Sequence, residues 1–244
     1  MTPTIEIIYE DNDVLVINKP AGLKVHSDGI NEEFTLADWL VARDRNLAQV
    51  GEVMIGPTGR TIKRPGIVHR LDKDTTGILV IAKNQDTYNH LKQQFKSHQI
   101  EKEYRLLVDG RINLETNQEE KINLPIGRSR KDPRKRLAHK GAVGKLREAE
   151  TVYKVLEKFD NYTYLSAQPT TGRTHQIRVH FKAINHPLIG DSLYNPHWQK
   201  SQLINRPALH AYRLEIKMPT GEKKEFRADL PIDFLRALEK LRSL

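Results

Sequence analysis

The stretch "GIVHRLDKDTTG" (66–77), followed at once by "ILVIAK" (78–83), decides how the chain divides into elements. The short apolar run after Gly77 reads as a buried strand. The residues before it are polar, dense in charge and closed by two threonines and a glycine, so they read as a loop leading into that strand. In the loop, Asp72 stands two positions after Arg70 and just before Lys73, and a second acid, Asp74, follows. A carboxylate so placed serves as a turn residue, a salt-bridge partner or a reacting group. In an extended segment residues i and i+2 share a face, so Arg70 and Asp72 point the same way. A guanidinium there keeps a carboxylate ionised where desolvation alone would neutralise it. Nucleophilic and basic carboxylates need that ionisation. A buried Asp–Arg pair without chemistry satisfies the same spacing.

Outward from this loop the chain alternates short strands and helices. "DVLVIN" (13–18) reads as a strand ending before Pro20. "FTLADWLVARDRNL" (34–47) reads as one helix with a Thr35-to-Asp38 capping pattern. Asn84 caps a further helix that carries Tyr88, Leu91 and Phe95 on one face. "EKEYRLLVDG" (101–110) is a strand ending in a turn, and "ETVYKVLEKF" with "YTYLSAQP" forms an antiparallel pair about "DN". "TGRTHQIRVHFKAIN" opens on Gly172 with Thr174 as cap, then places Ile177, Phe181 and Ile184 at helical spacing. Arg178 flanks that apolar face and is a second arginine able to reach a buried carboxylate. "ALHAYRLEIKMP" and "KKEFRADL" form a last hairpin, and "IDFLRALEKLRSL" an amphipathic helix. Strand pairs outnumber alternating βα units, which favours an α+β fold with a mostly antiparallel sheet flanked by helices and loops. With 244 residues and no linker or repeat, we expect a single domain over 1–244.

The formal charge is +9, and it is concentrated. "GRSRKDPRKRLAHKGAVGKLR" (127–147) holds +8 of it, leaving the rest of the chain nearly neutral. This segment has no sustained period and reads as a loop or hairpin. Its charge marks either a solvated loop or, the better fit to so local an excess, a patch for nucleic-acid phosphates, with Arg134, Lys135 and Arg136 at its centre.

Several chemistries are excluded or disfavoured. The chain has no cysteine, hence no disulfide, thiolate metal site or thiol nucleophile. His175 and His180 are five apart and do not stack on one helix face, and there is no H-E-x-x-H, so a metal centre is not expected. "GPTGRT" (56–61) lacks the preceding strand and the Lys-Thr pair of a P-loop, and no G-x-S-x-G elbow is present. No apolar run is long enough to cross a bilayer, and the acidic N-terminus lacks a signal pattern, so a cytoplasmic location without membrane contact is expected.

The stretch "GIVHRLDKDTTGILVIAKN" resembles the signature of the RluA-type pseudouridine synthases, in which H-R-L-D-x-x-T-S/T-G carries the catalytic aspartate. "VINKPAGLKVH" (16–26), "KEYRLLVDG" (102–110), "TGRTHQIRVHF" (171–181), "HPLIGDSLY" (186–194) and "RPALHAYRLEI" (206–216) resemble the family's other motifs, in order. The likeness therefore covers nearly the whole chain. By this resemblance Asp72 matches the catalytic aspartate, Tyr104 the tyrosine over the target base, and Arg178 the arginine paired with the aspartate. Arg70 matches the arginine associated with the flipped-out nucleotide, and Lys19 the lysine of the first motif. Arg173 and His175, in the fourth motif, are further candidates for contacting RNA. Thr76 stands where many relatives have serine. Only about fifteen residues precede the first motif, so the N-terminal S4-type RNA-binding domain of longer members is not expected.

The resemblance implies an isomerase that converts a uridine of ribosomal or transfer RNA to pseudouridine, with no cofactor and no metal. Separately, nothing in the sequence calls for an obligate protein partner, and a monomer is expected. The carboxylate would attack C1′ or C6, or deprotonate C2′ to give a glycal; all three routes remain open. A non-catalytic RNA-binding module and a metal-dependent nuclease or phosphoesterase are the rival readings. The first is disfavoured by the intact Asp72, Tyr104 and Arg178, the second by the His/Asp spacing.

Overall fold

A computed structural model of the chain describes residues 4–243 apart from 28, 31–32, 57–58, 60, 139–140 and 200–201. Part of "GPTGRT" and His139 and Lys140 of the basic segment thus lie outside the described residues. The strands and helices begin with β1 (Glu6–Glu10), β2 (Val14–Lys19), α1 (Leu36–Arg43), β3 (Gly51–Ile55), β4 (Thr61–Pro65), β5 (Thr76–Ala82) and α2 (Gln85–Lys96). Next come β6 (Glu101–Asp109), β7 (Glu119–Asn123), β8 (Ile126–Ser129), β9 (Arg136–Ala138), β10 (Ala142–Arg147), β11 (Glu150–Lys158) and β12 (Tyr162–Pro169). The last four are α3 (Gln176–Ala183), β13 (Leu209–Lys217), β14 (Lys223–Arg227) and α4 (Ile232–Arg242). The fold is α+β, and it divides into two compact units: Met1–Glu101 with Arg213–Ala228, and Lys102–Tyr212 with Asp229–Leu244.

In the first unit β2 pairs antiparallel with both β1 and β5. Every residue of β5 is buried, which is why its sequence is a continuous apolar run rather than an alternation. Val14, Val16, Ile78 and Val80 pack with Tyr88 and Leu91 of α2 and with Leu214, Ile216 and Phe226 of the β13–β14 hairpin. Fully burying each such aliphatic contributes about 1.5–3 kcal/mol. The capping expected at Thr35 and Asn84 is present: Thr35 and Asp38 form a reciprocal capping box, and Asn84 Oδ1 accepts from Thr87 N–H at 2.9 Å. The helix expected over 34–47, however, stops at Arg43. Asp44 takes an extended backbone and its carboxylate accepts from Asn46 N–H at 2.9 Å, opening a separate 3-10 turn over Arg45–Gln49. Aspartate competes with the helix for backbone donors in this way.

In the second unit β12 pairs antiparallel with β6 and β11, and β11 with β7. Its core joins Leu106, Val108, Val155 and Leu165 to Ile177 and Phe181 of α3. The basic segment is more regular than a loop or single hairpin: β8 lies between β10 and β9 in a small antiparallel sheet. The cap of α3 also differs from expectation. His175, not Thr174, is the N-cap, in the left-handed region at φ 57°. The turn is held from within the helix instead, because Gln176 Oε1 accepts from Arg173 N–H and the Thr171 hydroxyl.

Gly66 sets the start of the signature loop. Its φ is +63°, its N–H donates to Val50 O at 3.0 Å, and its own carbonyl accepts from Ala82 N–H at 2.9 Å. A Cβ there would stand 2.1 Å from Ala82 O. Gly22 also has a positive φ, +79°, but faces open space. Gly66→Ala should therefore cost upwards of about 2 kcal/mol in urea unfolding, and Gly22→Ala about 1 kcal/mol. Equal costs would contradict the contact argument.

Candidate active site

In the first unit the signature loop is pinned from both sides of Asp72. Ile67 bridges Ile81, Val80 N–H donates to His69 Nε2 at 3.0 Å, and the His69 ring stacks on Phe95 at 4.5 Å. Leu71 is buried, Asp72 half-buried and Arg70 exposed, with Arg70 Nη1 at 3.4 Å from His26 Nε2. Thr75 N–H closes a turn on Asp72 O at 3.2 Å before Thr76 enters β5. The brace of this turn is Lys19, which has no exposed surface. A buried ammonium is tolerated only when its donors are satisfied. Lys19 Nζ donates to Pro20 O at 2.8 Å, Leu23 O at 3.0 Å and Lys73 O at 2.9 Å. It thereby ties the first motif's turn to the carbonyl directly after Asp72. At the surface Glu33 bridges Lys24 and Lys73 at 3.0 and 3.1 Å, and their hydrogen bonds, Lys24 first, hold its carboxyl below the usual range. The structure thus brings Lys19, Arg70 and Asp72 into one loop assembly.

In the second unit Tyr104 lies on β6 opposite Ala167, half-buried against the core that contains Ile177 and Phe181. Arg178 is buried on α3 and donates Nε and Nη2 to the two oxygens of Asp191 at 2.7 and 2.8 Å. Asp191 is fully buried and also accepts from the backbone of Leu193 and Tyr194. The Arg178 guanidinium lies 5.0 Å from the centre of the Tyr194 ring. The Tyr194 hydroxyl accepts from Arg136 N–H at 2.9 Å and lies 2.8 Å from His175 Nδ1. Tyr194 thus links β9, the cap of α3 and the arginine–aspartate pair. Sequence reasoning missed Asp191, Tyr194 and Gln176. The available signal for Asp191 was a lone acid inside the apolar stretch "PLIGDSLY", since a buried acid needs a cation. His180 is fully buried, its nitrogens within hydrogen-bond reach of Thr151 Oγ1 and Leu124 O, and burial lowers its pKa.

A groove of about 540 Å³ runs between the basic sheet and the 172–174 turn. Arg128, Arg136, Lys145, Arg147 and Arg173 line it, and among the described residues no carboxylate side chain does. Of the expected RNA contacts, Arg136 and Arg173 belong to this groove, whereas Arg134 and Lys135 do not line it. Arg134 is exposed and paired with Asp132 at 2.9 and 3.0 Å, an interaction that lowers the Asp132 carboxyl to about 2.

Lys102, two positions before Tyr104 and on the same face of β6, sits 3.4 Å from Thr171 O, and burial lowers its ammonium pKa to about 8. The unfolded chain keeps this proton up to the ordinary lysine range. Between those limits the unfolded state binds more protons, so stability rises with pH. Lys102→Met should remove that rise, which amounts to at most about 3 kcal/mol. Urea unfolding at stepped pH checks it, and parallel curves for the two proteins would contradict it.

Comparison with known proteins agrees with this architecture. The family model described as RNA pseudouridylate synthase matches residues 13–183. The chain is 40% identical, over 98% of its length and 73% of the relative's, to the uncharacterised RNA pseudouridine synthase YlyB of Bacillus subtilis. It is also 40% identical to ribosomal large subunit pseudouridine synthase D of Neisseria meningitidis, over 98% of this chain and 61% of that one. The solved structure of human RNA pseudouridylate synthase domain containing 1 superposes with a TM-score of 0.73 at 25% identity, covering 100% of this chain and 98% of that one. The chain belongs to the RNA pseudouridine synthase family of the RluA type, and is an isomerase.

Proposed function

We propose that this chain isomerises a uridine of ribosomal RNA, with Asp72 as the catalytic carboxylate. The relatives named as ribosomal large subunit synthases support the choice of RNA. The observation that carries the role of Asp72 is its place in the loop: a half-buried carboxylate in a turn whose following carbonyl is held by the buried Lys19 ammonium. A site that acts on a base needs such fixed geometry.

The reaction breaks N1–C1′, turns the uracil and forms C5–C1′, while C5 loses a proton and N1 gains one, so no electrons are added or removed. The base is first taken out of its stack, at a cost of a few kcal/mol. Phosphates held by Arg128, Arg136, Arg147 and Arg173 in the groove offset that cost. The Tyr104 ring stacks on the extruded uracil, an interaction of about 1–3 kcal/mol, and its hydroxyl is the candidate acceptor of the C5 proton. Asp72 attacks C1′ or C6, or takes the C2′ proton. Arg178, held in one orientation by Asp191, supplies the fixed positive charge that the resemblance assigns to the carboxylate's partner.

The test is pseudouridine mapping of ribosomal and transfer RNA from cells lacking the gene and complemented with variants. Wild type should restore one or more ribosomal sites. Asp72→Asn, checked for folding by melting, should bind RNA within a few-fold of wild type and restore none. Asp74→Asn, equally acidic in origin and two residues on, should restore them. Pseudouridine formed by Asp72→Asn at a comparable rate would make the carboxylate structural. Sites found only in transfer RNA would overturn the choice of substrate.

A further inference from the structure

We propose that Arg64, upstream of the signature loop, forms with Arg70 a subsite for one RNA phosphodiester. The inference rests on RNA being the substrate. Arg64 lies near the end of β4, directly opposite Glu52 of β3, and its carbonyl accepts from Ile67 N–H at 3.2 Å in the turn that leads to Arg70. Its Nε is buried and has no hydrogen-bond partner, the single such side-chain atom among the described residues. An orphaned guanidinium N–H is costly to keep and is ordinarily satisfied. The nearby anion does not satisfy it, because Glu52 is engaged by Lys92 of α2. Beside it are the Tyr88 phenol, which donates to Glu52, and a second cation, Arg70; burial first, and then the charge of Arg70, lowers the Arg64 pKa.

Two arginines, Lys92 and one carboxylate leave this corner at a formal +2, with a donor aimed at no acceptor. Such an arrangement is unfavourable in the free protein and is completed by an anion with several acceptor oxygens. A phosphodiester has that form, and arginine binds it through paired N–H groups. The corner includes the β3–β4 hairpin of the first unit and shares no residue with the groove of the basic sheet, so it would give the RNA a further contact, next to the residues that flank Asp72.

The test uses Arg64→Gln in the full chain. In chloride buffer the variant should melt at the same temperature as wild type or higher, because a repelled, half-buried charge is gone. Its affinity for a short uridine oligoribonucleotide, read by fluorescence anisotropy, should fall about tenfold, and the log–log salt slope should shrink by about 0.7. An unchanged affinity and slope would overturn the inference. So would a lower melting temperature in chloride, which would make Arg64 a structural cation. The reading of the function is tested separately by wild-type pseudouridine formation. Wild type that modifies its RNA, with an indifferent Arg64→Gln, sinks only the subsite.

Discussion

A lysine with no solvent contact fixes the loop that carries Asp72. Lys19 ends β2 on the face it shares with the buried Leu15 and Ile17, so its side chain is carried into the interior by the same register that buries those aliphatics. Leaving a charge there without partners would cost several kcal/mol. Three carbonyls, of Pro20, Leu23 and Lys73, meet its three donors. Those carbonyls belong to two turns far apart in sequence. The satisfaction of one charge therefore dictates the backbone on both sides of it, including the turn that presents Asp72.

The second unit solves a related problem differently. Arg178 is also a buried cation, but its partner is a carboxylate, Asp191, and the contact is two-pronged. A point ammonium fixes backbone; a planar guanidinium fixes the direction of a side chain. Tyr194 extends this orientation outward, since its ring lies against Arg178 and its hydroxyl takes a backbone N–H from β9. The basic sheet and the arginine are thus parts of one network within that unit. Arg136, which lines the basic groove, thus shares a framework with Arg178.

The legible parts of the sequence were those where one force dominates. "ILVIAK" read as a buried strand because it is buried on both faces, and Asn84 and Thr35 read as caps because short polar side chains have few other uses at helix starts. The signature loop and its acid were visible by motif, and the family follows. The edge strands β1, β3, β4 and β7 were not legible: "GEVMI" and "EEKIN" are largely exposed, so pairing rather than burial holds them. The break at Asp44 and the cap at His175 were hidden because each depends on a side-chain hydrogen bond that only the folded backbone aligns. Asp191 was hidden for the same reason, its meaning lying in a partner thirteen residues away.

The central claim, that the Lys19 ammonium holds the Asp72 turn, is tested most directly by native-state hydrogen exchange on Lys19→Met. The amide of Thr75, which closes the turn on Asp72 O, should lose most of its protection, together with those of the 20–25 turn, while the β5 amides stay as slow as in wild type. Unchanged protection of Thr75 in a folded variant would show that the turn stands without the lysine and would contradict the account.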